Sequence, residues 1–171
     1  MTALVFVDTN VLVYARDGRD EAKHVAARTW LESLWTERSG RISTQVVSEY
    51  YVTLTRKLRP TVDPEEAWAD ARRLLSWNPQ PLDVAVLAEA RELQRRYRLS
   101  WWDSLVAAAA SIQSCSIILS EDFQDGMIIG SARVLNPFTH HVSEPASLYA
   151  LQPRVRPVHR SRGRPRKSVA A

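Results

Sequence analysis

Apolar positions along the chain follow two alternating rhythms. Short β-branched runs read as buried strands: Ala3 to Val7 and Ser116 to Leu119, with briefer candidates at Arg41 to Thr44, Pro81 to Val84 and Ala132 to Leu135. Between them, apolar residues recur at helical spacing. Asp8, Thr9 and Asn10 are capping residues, so a helix starts as the first strand ends. A longer helix spans about Asp20 to Arg38, with Val25, Leu31, Leu34 and Trp35 as apolar points. Val47, Tyr50, Tyr51, Leu54 and Leu58 mark a helix from Gln45 to Leu58. Asp63, Pro64 and Glu66 read as N-cap, N1 and N3 of another, ending near Trp77. Val84 to Tyr97, through Leu87, Ala90 and Leu93, and Ser100 to Ser111 complete the helical set. Strands alternating with helices predict an α/β fold, a parallel sheet covered on both faces.

The 171 residues fit one compact domain with some excess, and 45% hydrophobic residues can build its core. Mean hydropathy of −0.27 reads as a soluble chain. Cys115 is the single cysteine, which rules out an internal disulfide and a Cys-rich zinc site. Met1 to Val7 does not read as a signal peptide, and no apolar run approaches the roughly 20 residues of a membrane span. The expected location is therefore cytoplasmic, with no membrane contact.

Charge divides the chain. Arg154, Arg156, Arg160, Arg162, Arg164, Arg166 and Lys167 fall in the last 20 residues, which hold no acid. Removing these seven from 23 basic residues leaves 16 against 19 acidic, a body of −3. The pI of about 9.6 thus reports the tail. The expected organisation is a domain over residues 1–145 and a basic, disordered tail over 146–171.

Four acids share one kind of place. Asp8 follows the first strand, Asp122 comes three residues after Leu119, and Glu49 and Asp103 sit near the starts of two helices. In a parallel sheet these points lie near the carboxyl edge, where such folds bind ligands. Periodicity alone turns Glu49 away from the Val47, Tyr50, Tyr51, Leu54 stripe and into solvent. Each acid has a structural alternative: Asp8 as an N-cap, Asp103 as part of a capping box with Ser100, Glu49 on a solvated face, Asp122 in an Asx-turn. Brought together, such carboxylates repel one another unless a cation intervenes. Oxygen-only ligands suit Mg²⁺ or Mn²⁺, ions that activate water and stabilise charge on a phosphodiester.

The local strings are specific. Phe6-Val7-Asp8-Thr9-Asn10, Thr44-Gln45-Val46-Val47-Ser48-Glu49, Trp101-Trp102-Asp103-Ser104-Leu105 and Leu119-Ser120-Glu121-Asp122-Phe123, in this order and spacing, resemble the motifs of PIN-domain nucleases. The resemblance covers Leu4 to Phe138 and is closest to VapC-type toxins of toxin–antitoxin pairs. It implies a three-layer α/β/α fold with a mainly parallel sheet of four or five strands and Mg²⁺-dependent cleavage of RNA. It also implies a cognate antitoxin and a homodimer. Asp8, Glu49, Asp103 and Asp122 would be the acidic quartet, catalytic and metal-binding, with Asn10 and Ser120 positioning them. Asp125 competes with Asp122 for the fourth place. Two other readings are a housekeeping PIN nuclease for RNA processing or structured DNA, and an inactive PIN-like nucleic-acid-binding module. Apolar surface near Trp30 and Trp35 could receive an antitoxin helix, the alternative being core. In the tail, Arg162-Gly163-Arg164-Pro165-Arg166-Lys167 resembles an AT-hook, a segment that enters the minor groove of A·T-rich DNA; a general basic tail is the alternative.

Overall fold

The computed structural model of the protein describes residues 3–139. The domain end expected at residue 145 and the AT-hook-like string lie outside the described residues. Strand β1 (Val5–Val7) leads into α1 (Thr9–Arg16) and α2 (Glu21–Glu37), and β2 (Gly40–Arg41) into α3 (Thr44–Val52). Helices α4 (Pro64–Leu74), α5 (Val84–Tyr97) and α6 (Trp101–Ile112) precede β3 (Ile117–Leu119), β4 (Ile128–Ile129) and β5 (Ala132–Leu135).

The strands form one sheet in the order β2-β1-β3-β5-β4, flanked by the helices in a three-layer α/β/α arrangement. β1 runs parallel to β2 and β3, β3 parallel to β5, and β4 alone antiparallel. All residues of β1 and β3 are fully buried, which is why they read as unbroken apolar runs. Cys115 lies just before β3, inert, its thiol pushed up to about 12 by burial. The chain leaves β1 for β2 on one side and later returns to β3 on the other. A crevice opens where strand order reverses, so the carboxyl ends of β1 and β3 frame the natural ligand position.

Helix ends follow the sequence closely. Asp8, Asp20, Ser43, Asp63, Asp83 and Ser100 each cap a helix by accepting a backbone N–H. In α6, Ala107 to Ala110 are all buried, so small side chains let it pack against α5 and β3.

Several expectations are corrected. Pro81 to Val84 is not a strand: Gln80 makes a lone parallel bridge to Ser43, and Val84 already belongs to α5. Pro79 and Pro81 flank that bridge, and without N–H groups they cannot extend a ladder. The strand expected at Arg41 to Thr44 lies earlier, because Ser43 serves as N-cap of α3. The helix through Leu58 instead passes from α3 into a π turn, Thr53–Lys57. β4 is an unexpected addition: Ile129 pairs with Ala132 across Gly130 and Ser131, and Gly130 adopts φ +59°. Two residues are too few to show alternation, but glycine at the first turn position is a hairpin signal. In α2, Ala27, Trp30 and Leu34 face the core while Val25 is exposed. Trp30 is thus core, whereas Trp35 is part-exposed and stacks on Trp77.

Gly40 lets edge strand β2 sit beside that pair. A Cβ there would lie 2.7 Å from the buried Trp77 ring. Gly40→Ala should therefore destabilise the fold by about 1–3 kcal/mol through overpacking. A urea midpoint equal to that of the unsubstituted chain would show that the ring can yield.

Candidate functional site

Asp8 ends β1 and is only 6% exposed. Its Oδ1 accepts the Thr9 backbone N–H at 2.7 Å, the N-cap bond of α1. Its Oδ2 accepts the Ser120 hydroxyl at 2.7 Å and the Asn10 amide at 3.2 Å. The cap reading and the site reading of Asp8 therefore hold together, one on each oxygen. Ser120 stands beside it because β1 and β3 pair in register, Val7 with Leu119, and the Asp8 N–H donates to the Leu119 carbonyl at 3.0 Å.

Asn10 ties the two strand ends. Its amide also donates to Ser120 Oγ at 3.1 Å and to Asp122 Oδ2 at 2.9 Å. Two amide hydrogens thus serve three acceptors. Both carboxylates can only accept, so the NH₂ must face them, and Asn10 Oδ1 is left buried without a partner. Ser120 Oγ further accepts the Asp122 backbone N–H at 3.1 Å, fixing the turn that aims Asp122 inward. Asp125 is held elsewhere: its Oδ1 accepts the Asn136 N–H at 2.8 Å.

Glu49 is neither in the first turn nor in solvent. It lies in the second turn of α3, half-buried, where Oε2 accepts the Thr9 hydroxyl at 3.0 Å and Oε1 the Gln45 amide at 2.9 Å. Gln45 and Thr9 were not singled out as site residues. The spacing of four between Gln45 and Glu49 is a signal for the first; for Thr9, only its place beside Asp8 pointed to a role. Asp103 lies in the first turn of α6, and its backbone N–H is capped by Ser100. The structure gathers Asp8, Glu49 and Asp122 around Thr9, Asn10 and Ser120.

At the rim, Lys23 donates to Glu121 at 2.5 Å and to the Tyr14 hydroxyl at 3.0 Å, beneath an edge-to-face pair of Tyr14 and Phe138. Those hydrogen bonds raise the Lys23 ammonium further. Glu121 is thereby neutralised at the rim.

Burial pushes the Asp8 carboxyl up to about 6 from 3.8; bonds from Ser120 and Thr9 pull it down, and the charges of Asp122 and Glu49 push it up. A cation would remove this strain. Among the described residues, no three acids, histidines or cysteines stand close enough to chelate an ion by themselves. Mg²⁺ is commonly held by one or two carboxylates, with water and substrate phosphate completing its shell. The all-oxygen donor set and the uncompensated charge around Asp8 fit such an ion, and Oδ1 of Asp8 keeps a lone pair beyond its cap bond.

Residues 5–124 match the PIN domain family. The chain belongs to that family. No curated protein sequence matches it. Among solved structures, this PIN domain is similar to a toxin–antitoxin complex from Klebsiella pneumoniae, with a TM-score of 0.56 and 17% identity over 81% of this chain and 99% of the other. It is also similar to VapC20 of Mycobacterium tuberculosis, titled a sarcin–ricin loop cleaving toxin, with a TM-score of 0.51 and 21% identity over 67% and 86%. A third is VapBC2 from Rickettsia felis bound to a DNA fragment from its promoter, with a TM-score of 0.54 and 17% identity over 77% and 96%. At these identities the likeness is one of fold.

The Asp8 carboxyl of this PIN domain holds its proton more tightly folded than unfolded. Its contribution to stability is therefore full below pH 3.8 and lost as pH rises through about 6. Measured against Asp8→Asn in metal-free buffer, the wild type should lose about 3 kcal/mol of unfolding free energy between pH 3.5 and 7.5. A difference independent of pH would contradict the burial of charge at Asp8.

Proposed function

We propose that this PIN domain is a divalent-metal-dependent endoribonuclease, the toxin of a toxin–antitoxin pair, working through Asp8, Glu49, Asp103 and Asp122. The observation that carries the reading is the junction at the β1–β3 crevice, where the amide of Asn10 and the hydroxyl of Ser120 hold Asp8 and Asp122 together. PIN domains are nucleases, and the likeness of the fold to toxins of toxin–antitoxin pairs supports the finer assignment.

Mg²⁺, or Mn²⁺ in its place, supplies an activated water and stabilises charge on the phosphodiester when bound. Asp8, Glu49 and Asp122 would hold it, with Asp103 as the fourth acid. Asn10 and Ser120 fix the orientation of Asp8 and Asp122, and Thr9 and Gln45 do the same for Glu49. These donors keep the carboxylates aimed, so that little rearrangement remains when the charged substrate arrives.

EDTA should abolish cleavage of RNA, and Mg²⁺ or Mn²⁺ should restore it. Asp8→Asn should lower the rate by orders of magnitude with the fold intact, and Asp122→Asn should lower it far more than Asp125→Asn. Full activity in EDTA, or the reverse order for the last pair, would defeat the assignment.

Growth should arrest when the wild-type chain is expressed without its partner gene, and coexpression of a small neighbouring gene should relieve it. Harmless expression of the wild type in a native host lacking that partner would instead favour an RNA-processing role.

A further inference from the structure

Trp102 is the second residue of α6. Positions four apart share a helix face, so it continues the stripe of Val106 and Ala110, which are 4% and 0% exposed. Yet Trp102 is 63% exposed, because its end of the stripe emerges into the carboxylate cleft, which it lines together with Glu49, Lys57 and Asp122. Of the other tryptophans, Trp30 and Trp77 lie in the core, Trp35 packs on Trp77 and Trp68 on Tyr51; Trp101, exposed to a lesser degree, is not among the residues that line the cleft. Among the described residues Trp102 has no ring contact.

Across the cleft, Glu49, Thr53 and Lys57 follow one another at spacings of four. Lys57 makes no salt bridge among the described residues. The cleft thus offers a bare indole face, a cation without an ion pair among the described residues, and the acids Glu49, Glu121 and Asp122 in the same lining. Those acids repel a polyanion, so grip on a nucleic-acid strand must come partly from contacts indifferent to charge. Stacking on an aromatic face is such a contact, and it accepts any base.

We propose that Trp102 is the base-stacking platform of the cleft. Its indole receives an unstacked nucleobase beside the phosphodiester to be cut, while the Lys57 ammonium meets a neighbouring phosphate. This rests on the ribonuclease reading and adds to it the residue that positions the strand. Trp102 grips without reading sequence, since every base has a face to stack.

The test is a double-mutant cycle in the full-length chain carrying Asp8→Asn, so that bound RNA survives. Two 12-nucleotide probes are compared at 150 mM salt: oligo-A and an all-abasic ribose-phosphate strand of equal length and charge. Trp102→Ala should weaken oligo-A binding by about five- to hundredfold, the range for loss of one stacked base, and leave the abasic strand unchanged. Trp102→Phe should recover most of the loss. Equal weakening of both probes, or of neither, would overturn the platform while leaving the nuclease standing. Failure of the Asp8→Asn chain to bind either probe would overturn the RNA reading and the platform with it.

Discussion

A charged carboxylate held out of water at the end of the central strand is the constraint on which the cleft depends. Asp8 is nearly buried, and burial disfavours its ionised form more than any other influence on it. The surroundings answer with donors: a backbone N–H, a hydroxyl and a side-chain amide. Two of them, from Thr9 and Asn10, come from the first turn of α1, and the third, from Ser120, comes from the residue after β3. The cost of burying Asp8 is thus offset only when these parts are assembled.

Sheet topology makes that assembly possible. With β2 and β3 on opposite sides of β1, the crevice at the carboxyl edge is bounded by strand ends rather than covered by a crossover. Pairing of Val7 with Leu119 sets Asp8 next to Ser120, and the turn after Ser120 then delivers Asp122. A register error of one residue between β1 and β3 would turn Ser120 to the other face of the sheet and break the junction.

Much of this was legible in the chain because it was local. The strand ending at Asp8, the caps at Asp8, Asp63 and Ser100 and the short turn to Asp122 each carry their signal within a few residues. Periodicity alone turned Glu49 to solvent because it assumes a helix with one buried face, whereas α3 has a second contact, through Thr9, that comes from 40 positions away. The ion pair that engages Glu121 at the rim was invisible for the same reason: Lys23 and Glu121 lie 98 positions apart. β4 escaped notice because two residues carry no rhythm, and Pro81 to Val84 was overread because apolar composition was given more weight than missing N–H groups.

The hydroxyl that steadies Asp8 belongs to a residue 112 positions further along the chain. On a ribosome, Asp8 emerges long before Ser120 and Asp122 exist. A partly made chain therefore has its first acid without the groups that hold it in place, and the carboxylates meet only when β3 slides in beside β1. Synthesis itself is thus the safety catch: the carboxylate cleft of this PIN domain is not assembled until most of the chain has been read.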